Sequence, residues 1–219
     1  MGHLLNIITP LHKRSARNYI ERMVNDKVAC SEIARQYDFD YWDGDRRYGY
    51  GGYRYDGRWA VVANALVDQY NLAPNANILD VGCGKGFLLY EFKKLLPQAK
   101  VTGIDISEYA LKNAKEEVKP FLRKLCAQDK YPFADKEFDL VFSNTTLHNL
   151  CLSDLKIALQ EIERVGKSKY ICVESFRGIQ ELFNLQCWAL TCETFLSPQE
   201  WAWLYREFGY SGDYEFLFF

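Results

Sequence analysis

Ile78-Leu79-Asp80-Val81-Gly82-Cys83-Gly84-Lys85-Gly86 is an apolar strand carrying an acid that runs into three alternating glycines, followed by the helical pattern Phe87-Leu88-Leu89-Tyr90-Glu91. Glycine at every second position lets the backbone come close to a ligand, because no Cβ intervenes and positive φ is accessible. The helix that follows turns its free amide donors and positive dipole end towards the same point. A second apolar strand, Val101-Thr102-Gly103-Ile104-Asp105, also ends in an acid, whose carboxylate can accept both hydroxyls of a ribose. Together these two segments describe a nucleoside site in an α/β fold.

Working outward, the periodicity predicts helix over 60–70, strand over 77–81, helix over 86–95, strand over 101–105, helix over 107–116, a short strand over 122–127, strand over 138–143, helix over 153–163, strand over 169–174, helix over 198–208 and strand over 213–219. Alternation of this kind implies a mostly parallel sheet with helices on both faces and a ligand beyond the carboxyl ends of the strands. The chain of 219 residues fits a single domain, with residues 60–219 as its core. In the N-terminal part, residues 13–23 and 30–36 carry the spacing of two short amphipathic helices.

Between those helices and the core lies Phe39-Asp40-Tyr41-Trp42-Asp43-Gly44-Asp45-Arg46-Arg47-Tyr48-Gly49-Tyr50-Gly51-Gly52-Tyr53-Arg54-Tyr55-Asp56-Gly57-Arg58-Trp59. It is too rich in glycine for a helix and too rich in aromatics for a disordered linker. Two readings are open: a lid that folds over a ligand, or a rigid loop whose rings plug the sheet. As a lid, Tyr48, Tyr50, Tyr53 and Tyr55 would enclose the substrate and Arg46, Arg47 and Arg54 would meet an anionic group.

The 27 basic and 29 acidic residues leave a net charge of -2 and a pI near 6.0, which argues against a nucleic-acid partner. Seven cysteines in or beside apolar runs, with no CxxC pair, read as buried thiols of a reducing cytoplasm. The three histidines, at 3, 12 and 148, do not cluster as metal ligands, and no metal is expected. Mean hydropathy is -0.28 and no apolar run reaches the roughly 20 residues of a bilayer span, so a soluble protein is expected. Met1-Gly2-His3 has the look of a cloning remnant.

The glycine loop is GxGxG rather than the GxGxxG of dinucleotide sites. With Asp80 ahead of it, the loop resembles the first motif of class I S-adenosylmethionine (SAM)-dependent methyltransferases. Gly103-Ile104-Asp105-Ile106-Ser107 is similar to their second motif, and Tyr131-Pro132-Phe133-Ala134-Asp135-Lys136-Glu137-Phe138-Asp139-Leu140-Val141-Phe142-Ser143-Asn144 to the run into their fourth strand. The resemblance implies the Rossmann-like doubly wound fold, here with an N-terminal helical and aromatic-loop lid over residues 1–59, and SAM as methyl donor with S-adenosylhomocysteine as product.

Carried over by that resemblance, Gly82, Gly84 and the backbone near Asp80 contact the methionine part of the cofactor, Asp105 holds the ribose, Ile106 lies against the adenine, and one of Gln128 and Asp129 meets the adenine amino group. Asn144 opens a loop, Asn144-Thr145-Thr146-Leu147-His148-Asn149-Leu150, similar to the family's own. His148 either takes a proton from an acceptor hydroxyl or only supports the methionine end. Arg58 either grips the cofactor carboxylate or is a surface charge at a helix start.

The expected reaction is methyl transfer to a small molecule, an oxygen of an anionic or sugar-linked metabolite. The glycine-tyrosine loop looks like that of bacterial methyltransferases of surface-polysaccharide or modified-sugar pathways, whose acceptors include sugar hydroxyls and phosphate or phosphoramidate groups. Methylation of nucleic-acid bases is disfavoured, since Asn144-Thr145-Thr146-Leu147 lacks the Pro-Pro-aromatic run. The alternatives are a silent SAM-binding partner subunit and a protein acceptor. The C-terminal end departs from the family: a last strand is either hidden near 190–195 or absent, and an open sheet edge would favour a homodimer.

Overall fold

A computed structural model describes residues 2–14, 16–50 and 53–219, so Gly51 and Gly52 of the aromatic segment and Met1 lie outside the described residues. Among the described residues the N-terminal part carries four short α-helices, α1 (Thr9–His12), α2 (Tyr19–Val24), α3 (Lys27–Ala34) and α4 (Phe39–Trp42), followed by a 3-10 turn at Arg46–Tyr48. Of the helix expected over 13–23, in which Ser15 lies outside the described residues, only 19–23 is helical, within α2. Asn18 starts that helix, its side chain accepting the Glu21 amide at 3.2 Å.

From α5 (Ala60–Tyr70) onward the chain alternates as expected: β1 (Asn77–Val81), α6 (Phe87–Leu95), β2 (Lys100–Asp105), α7 (Glu108–Lys112), β3 (Leu122–Lys124), β4 (Phe138–Asn144), α8 (Leu152–Val165), β5 (Gly166–Glu174), α9 (Ile179–Trp188), α10 (Pro198–Glu207) and β6 (Asp213–Leu217). Caps set several of these starts. Ser107 accepts the Ala110 amide at the head of α7, and Ser197 and Glu200 form a capping box ahead of α10. Helix α9 has no counterpart in the predicted pattern.

The six strands form one sheet in the order β3-β2-β1-β4-β5-β6, parallel throughout. Alternate strand residues serve opposite faces. Leu79, Val81, Val141, Ile171 and Val173 pack with Leu155, Leu159 and Ile162 of α8 and Trp201 and Tyr205 of α10. Ile78, Leu140, Phe142, Tyr170 and Cys172 pack with Val62 and Leu66 of α5 and Leu89 and Phe92 of α6. The order reverses between β1 and β4, which opens a crevice at their carboxyl ends.

The final strand is parallel to β5, because two helices, α9 and α10, carry the chain back to the starting end of the sheet; residues 190–195 form no strand. The outer edge of β6 is not open. The Leu5 amide donates to Tyr214 O at 2.8 Å and the Tyr214 amide to His3 O at 3.0 Å. The buried Glu215 carboxylate accepts the Ile7, Ile8 and Thr9 amides and the Tyr170 hydroxyl. The edge on which the homodimer expectation rested is therefore covered by the chain's own N-terminal residues.

Five of the seven free cysteines are buried; Cys126 is half-buried and Cys151 exposed, so the reading of all seven as interior thiols is corrected at these two. No helix among the described residues is long and apolar enough to cross a membrane.

Candidate active site

Four strands end on one cavity of about 950 Å³, each supplying a polar side chain to its wall: Asp80 from β1, Asp105 from β2, Asn144 from β4 and Glu174 from β5. That volume lies at the upper end of the roughly 300–1,000 Å³ of small-molecule sites. Gly82, Gly84, Ile106, Gln128, His148, Arg58, Tyr50 and Tyr53 line the same cavity.

The glycine loop forms as its spacing requires. Gly82, Gly84 and Gly86 take φ of +84°, +52° and +69°, and the loop is so tightly covered that a Cβ on Gly82 would lie 2.0 Å from Thr146 Oγ1 and one on Gly84 2.6 Å from Trp42 Cη2. The Asp105 carboxylate ties this loop to the second strand, accepting the Gly84 amide at 2.7 Å and the Ser107 amide at 2.8 Å. Burial raises its pKa, and these two bonds offset part of the rise. Asp80 is 4 % exposed and accepts no hydrogen bond from the described residues; burial, reinforced by the Asp105 charge, pushes its pKa well up. Two acids converge on one wall, a setting that favours a cationic ligand.

The aromatic segment covers this wall. Lys85 of the glycine loop, itself buried, donates to both Asp43 oxygens at 2.7 Å, and Tyr109 donates to Asp43 at 2.8 Å. Trp42 Nε1 donates to Ser107 Oγ at 2.8 Å, and the Tyr55 hydroxyl donates to the buried Glu91 at 2.5 Å. On the other side the Leu190 and Thr191 amides donate to the Tyr50 hydroxyl at 2.6 and 3.1 Å. The rings of Tyr41, Trp42 and Tyr53 pack on one another with centroids 4.6–5.2 Å apart, and all three face the cavity. The described residues of the segment thus form a cover that touches the site, combining features of both expectations.

Other expectations resolve residue by residue. Asp129 turns away and caps its own loop, accepting the Cys126 amide at 2.8 Å, which leaves Gln128 as the member of the pair at the cavity. Arg58 reaches the rim but is held by Asp56 at 2.5–2.7 Å. Tyr48 does not line the cavity: it packs with Cys30, Ala34 and Leu190. Arg54 is exposed and does not line it either.

At the β5 side, residues far apart in sequence meet. The guanidinium groups of Arg17, Arg22 and Arg46 stand 5.4, 5.0 and 5.2 Å from the Trp188 ring centroid. Of these, Arg17 and Arg46 line the cavity with Trp188. Burial lowers the pKa of all three, and for Arg22 and Arg46 crowding by a neighbouring guanidinium adds to the fall.

His148 is buried, and burial lowers its pKa to about 3. Its Nδ1 accepts the Glu174 amide at 3.3 Å, which puts the imidazole proton on Nε2, 3.4 Å from Glu174 Oε2. With its pKa this low and its Nδ1 lone pair already taken by the Glu174 amide, the ring is a poor proton acceptor, which counts against His148 as the base. Glu174 is 8 % exposed, its Oε2 has no aligned hydrogen-bond partner among the described residues, and burial raises its pKa to about 7, with Arg17 and Lys27 opposing. Sequence reading passed over it, although Tyr170-Ile171-Cys172-Val173-Glu174 carries the same signal as Val101 to Asp105, an apolar strand closed by an acid.

The methyltransferase domain family matches residues 72–209. Over 135 residues the chain is 35 % identical to mouse arginine-hydroxylase NDUFAF5, mitochondrial, covering 61 % of this chain and 38 % of that protein. It is 34 % identical to a demethylmenaquinone methyltransferase of Lactiplantibacillus plantarum over 153 residues, 65 % of this chain and 63 % of the relative. A putative methyltransferase structure from Bacillus halodurans superposes with a TM-score of 0.55 at 20 % identity, covering 67 % of this chain and 68 % of the other, and shows the same fold. The chain spans about two fifths of the length of the mouse relative.

Proposed function

The chain belongs to the class I SAM-dependent methyltransferase family, and from that premise we propose that it transfers a methyl group from SAM to an oxygen of a small anionic acceptor. The observation that carries this reading is a cavity with two chemically distinct ends. Asp80 and Asp105 beside the glycine loop suit the cationic sulfonium and ammonium groups and the ribose hydroxyls of the donor. Arg17 and Arg46 on the Trp188 face suit a phosphate, phosphoramidate or carboxylate on the acceptor.

In this reading Gly82, Gly84, Ile106, Gln128 and Asn144 complete the donor site, and Tyr50 and Tyr53 close the acceptor site. The donor brings its own leaving group, so the chain's task is to align acceptor, methyl and sulfur in a dry pocket. Such positioning is worth roughly 7–11 kcal/mol. The half-buried ring stack of the cover supports the exclusion of water. Sugar-linked metabolites of surface-polysaccharide pathways in a bacterial cytoplasm remain the acceptor class to which the glycine-tyrosine segment points.

Incubation with SAM bearing a deuterated methyl group in a bacterial metabolite extract tests the reading by mass spectrometry. A labelled anionic small molecule, absent with Asp105→Ala, is the expected result. Label in protein alone, or S-adenosylhomocysteine binding without turnover, would replace the reading with a protein acceptor or a silent subunit.

A further inference from the structure

Asn144 Oδ1 and Glu174 Oε2 are buried acceptor atoms on the cavity wall that have no hydrogen-bond partner among the described residues. Buried polar atoms are seldom left unpaired, and each one costs about 1–3 kcal/mol unless a ligand supplies the missing donor. They sit on adjacent strands, Asn144 paired in register with Cys172, two residues before Glu174. Asn144 stands nearer the glycine-loop end. Glu174 stands at the β5 end, where Arg17 and Trp188 also line the wall.

We propose that Glu174 is the general base of methyl transfer and that His148 is a positioning residue; this rests on the reading of the cavity as a methyl-transfer site. The Glu174 carboxylate takes the proton as the acceptor O–H bond breaks. The oxygen lone pair forms the O–CH3 bond, the CH3–S bond breaks, and its electron pair returns to sulfur. The products are methylated acceptor, neutral S-adenosylhomocysteine and protonated Glu174, which conserves charge.

The surroundings fit this assignment. A carboxyl group free of aligned donors is a stronger base than one tied into a bidentate pair. The charged and titratable groups that face it from the packed elements are Arg17 ahead of α2, Lys27 of α3, Tyr50 of the cover, His148 after β4, Cys172 of β5 and Cys192 after α9. Of these only Arg17 and Lys27 are cations near neutrality, and they keep the carboxyl from rising further. His148 Nδ1 is occupied by the Glu174 amide, so the ring fixes the end of β5, with its Nε2 3.4 Å from Glu174 Oε2 but not aligned as a donor to it.

Two measurements decide the point. In the labelled-SAM extract assay, wild-type product formation rises with pH to a plateau above about 7. Glu174→Gln lowers it by about 10²–10⁴-fold with S-adenosylhomocysteine affinity unchanged, while His148→Gln keeps the rising limb with a displaced midpoint. Retention of activity within a few-fold by Glu174→Gln, or loss of the rising limb in His148→Gln alone, overturns the assignment. If the wild type labels nothing, the small-molecule reading fails, and a titration of protein carrying carboxyl-labelled glutamate still decides Glu174. Its resonance, identified by its absence in Glu174→Gln, titrates near pH 7 if the assignment holds; a midpoint below 5 marks a structural ion pair and overturns it.

Discussion

Replacing Glu174 with glutamine has a pH-dependent effect on stability whose size follows from burial. The side chain carries a pKa of about 7 in the folded protein against the ordinary glutamate value of 4.5, a displacement of 2.5. At 1.36 kcal/mol per unit this corresponds to about 3 kcal/mol. Because the folded value is raised, the wild type holds this contribution in full below pH 4.5. It loses the contribution as pH climbs through 7, since the unfolded chain ionises first. Glutamine has no such dependence. Urea unfolding of both proteins from pH 4.5 to 8 should therefore show Glu174→Gln gaining about 3 kcal/mol relative to wild type across that interval and nothing further above it. The buried His148 and His12, with pKa lowered to about 3 and 4, act in the opposite sense, but equally in both proteins, so they cancel in the difference. Parallel pH curves would mean that Glu174 titrates normally when folded and would refute the argument.

Gly82→Ala should cost about 1–3 kcal/mol and remove cofactor binding, because φ of +84° and a Cβ 2.0 Å from Thr146 Oγ1 force the loop to move; thermal unfolding and a binding titration check both parts. Asp43→Asn leaves the 6 %-exposed Lys85 ammonium without its carboxylate, so a loss of about 3 kcal/mol is expected together with faster proteolysis between residues 39 and 50. Unchanged cleavage there would mean that the cover is held without this latch.

The core of the fold was legible because its strands are continuous apolar runs closed by turn residues. The loop at Gly82 and Gly84, the carboxyl at Asp105 and the wall position of Asn144 could be located because each depends on local sequence. Four things were not legible. Helix α9 carries a weak apolar face, with Ile179 84 % exposed and only Leu185 and Cys187 buried, so periodicity does not mark it. The meeting of Arg17, Arg46 and Trp188 is tertiary and leaves no trace in spacing. The covered edge of β6 depends on Glu215 holding three amides from residues 7–9, a contact that joins the two ends of the chain. Glu174 was passed over and His148 left open between base and support, because a lone histidine draws attention while the environment that lowers its pKa and raises that of its neighbour exists only after folding.

Calorimetric titration with S-adenosylhomocysteine, for the wild type and for Asp105→Ala, tests most directly the claim that this cavity is the donor site. One molecule should bind per chain, and the variant should bind about 10–100-fold more weakly, as expected for loss of charged hydrogen bonds worth roughly 1.5–3 kcal/mol. No binding by the wild type, or equal binding by both proteins, would contradict the account.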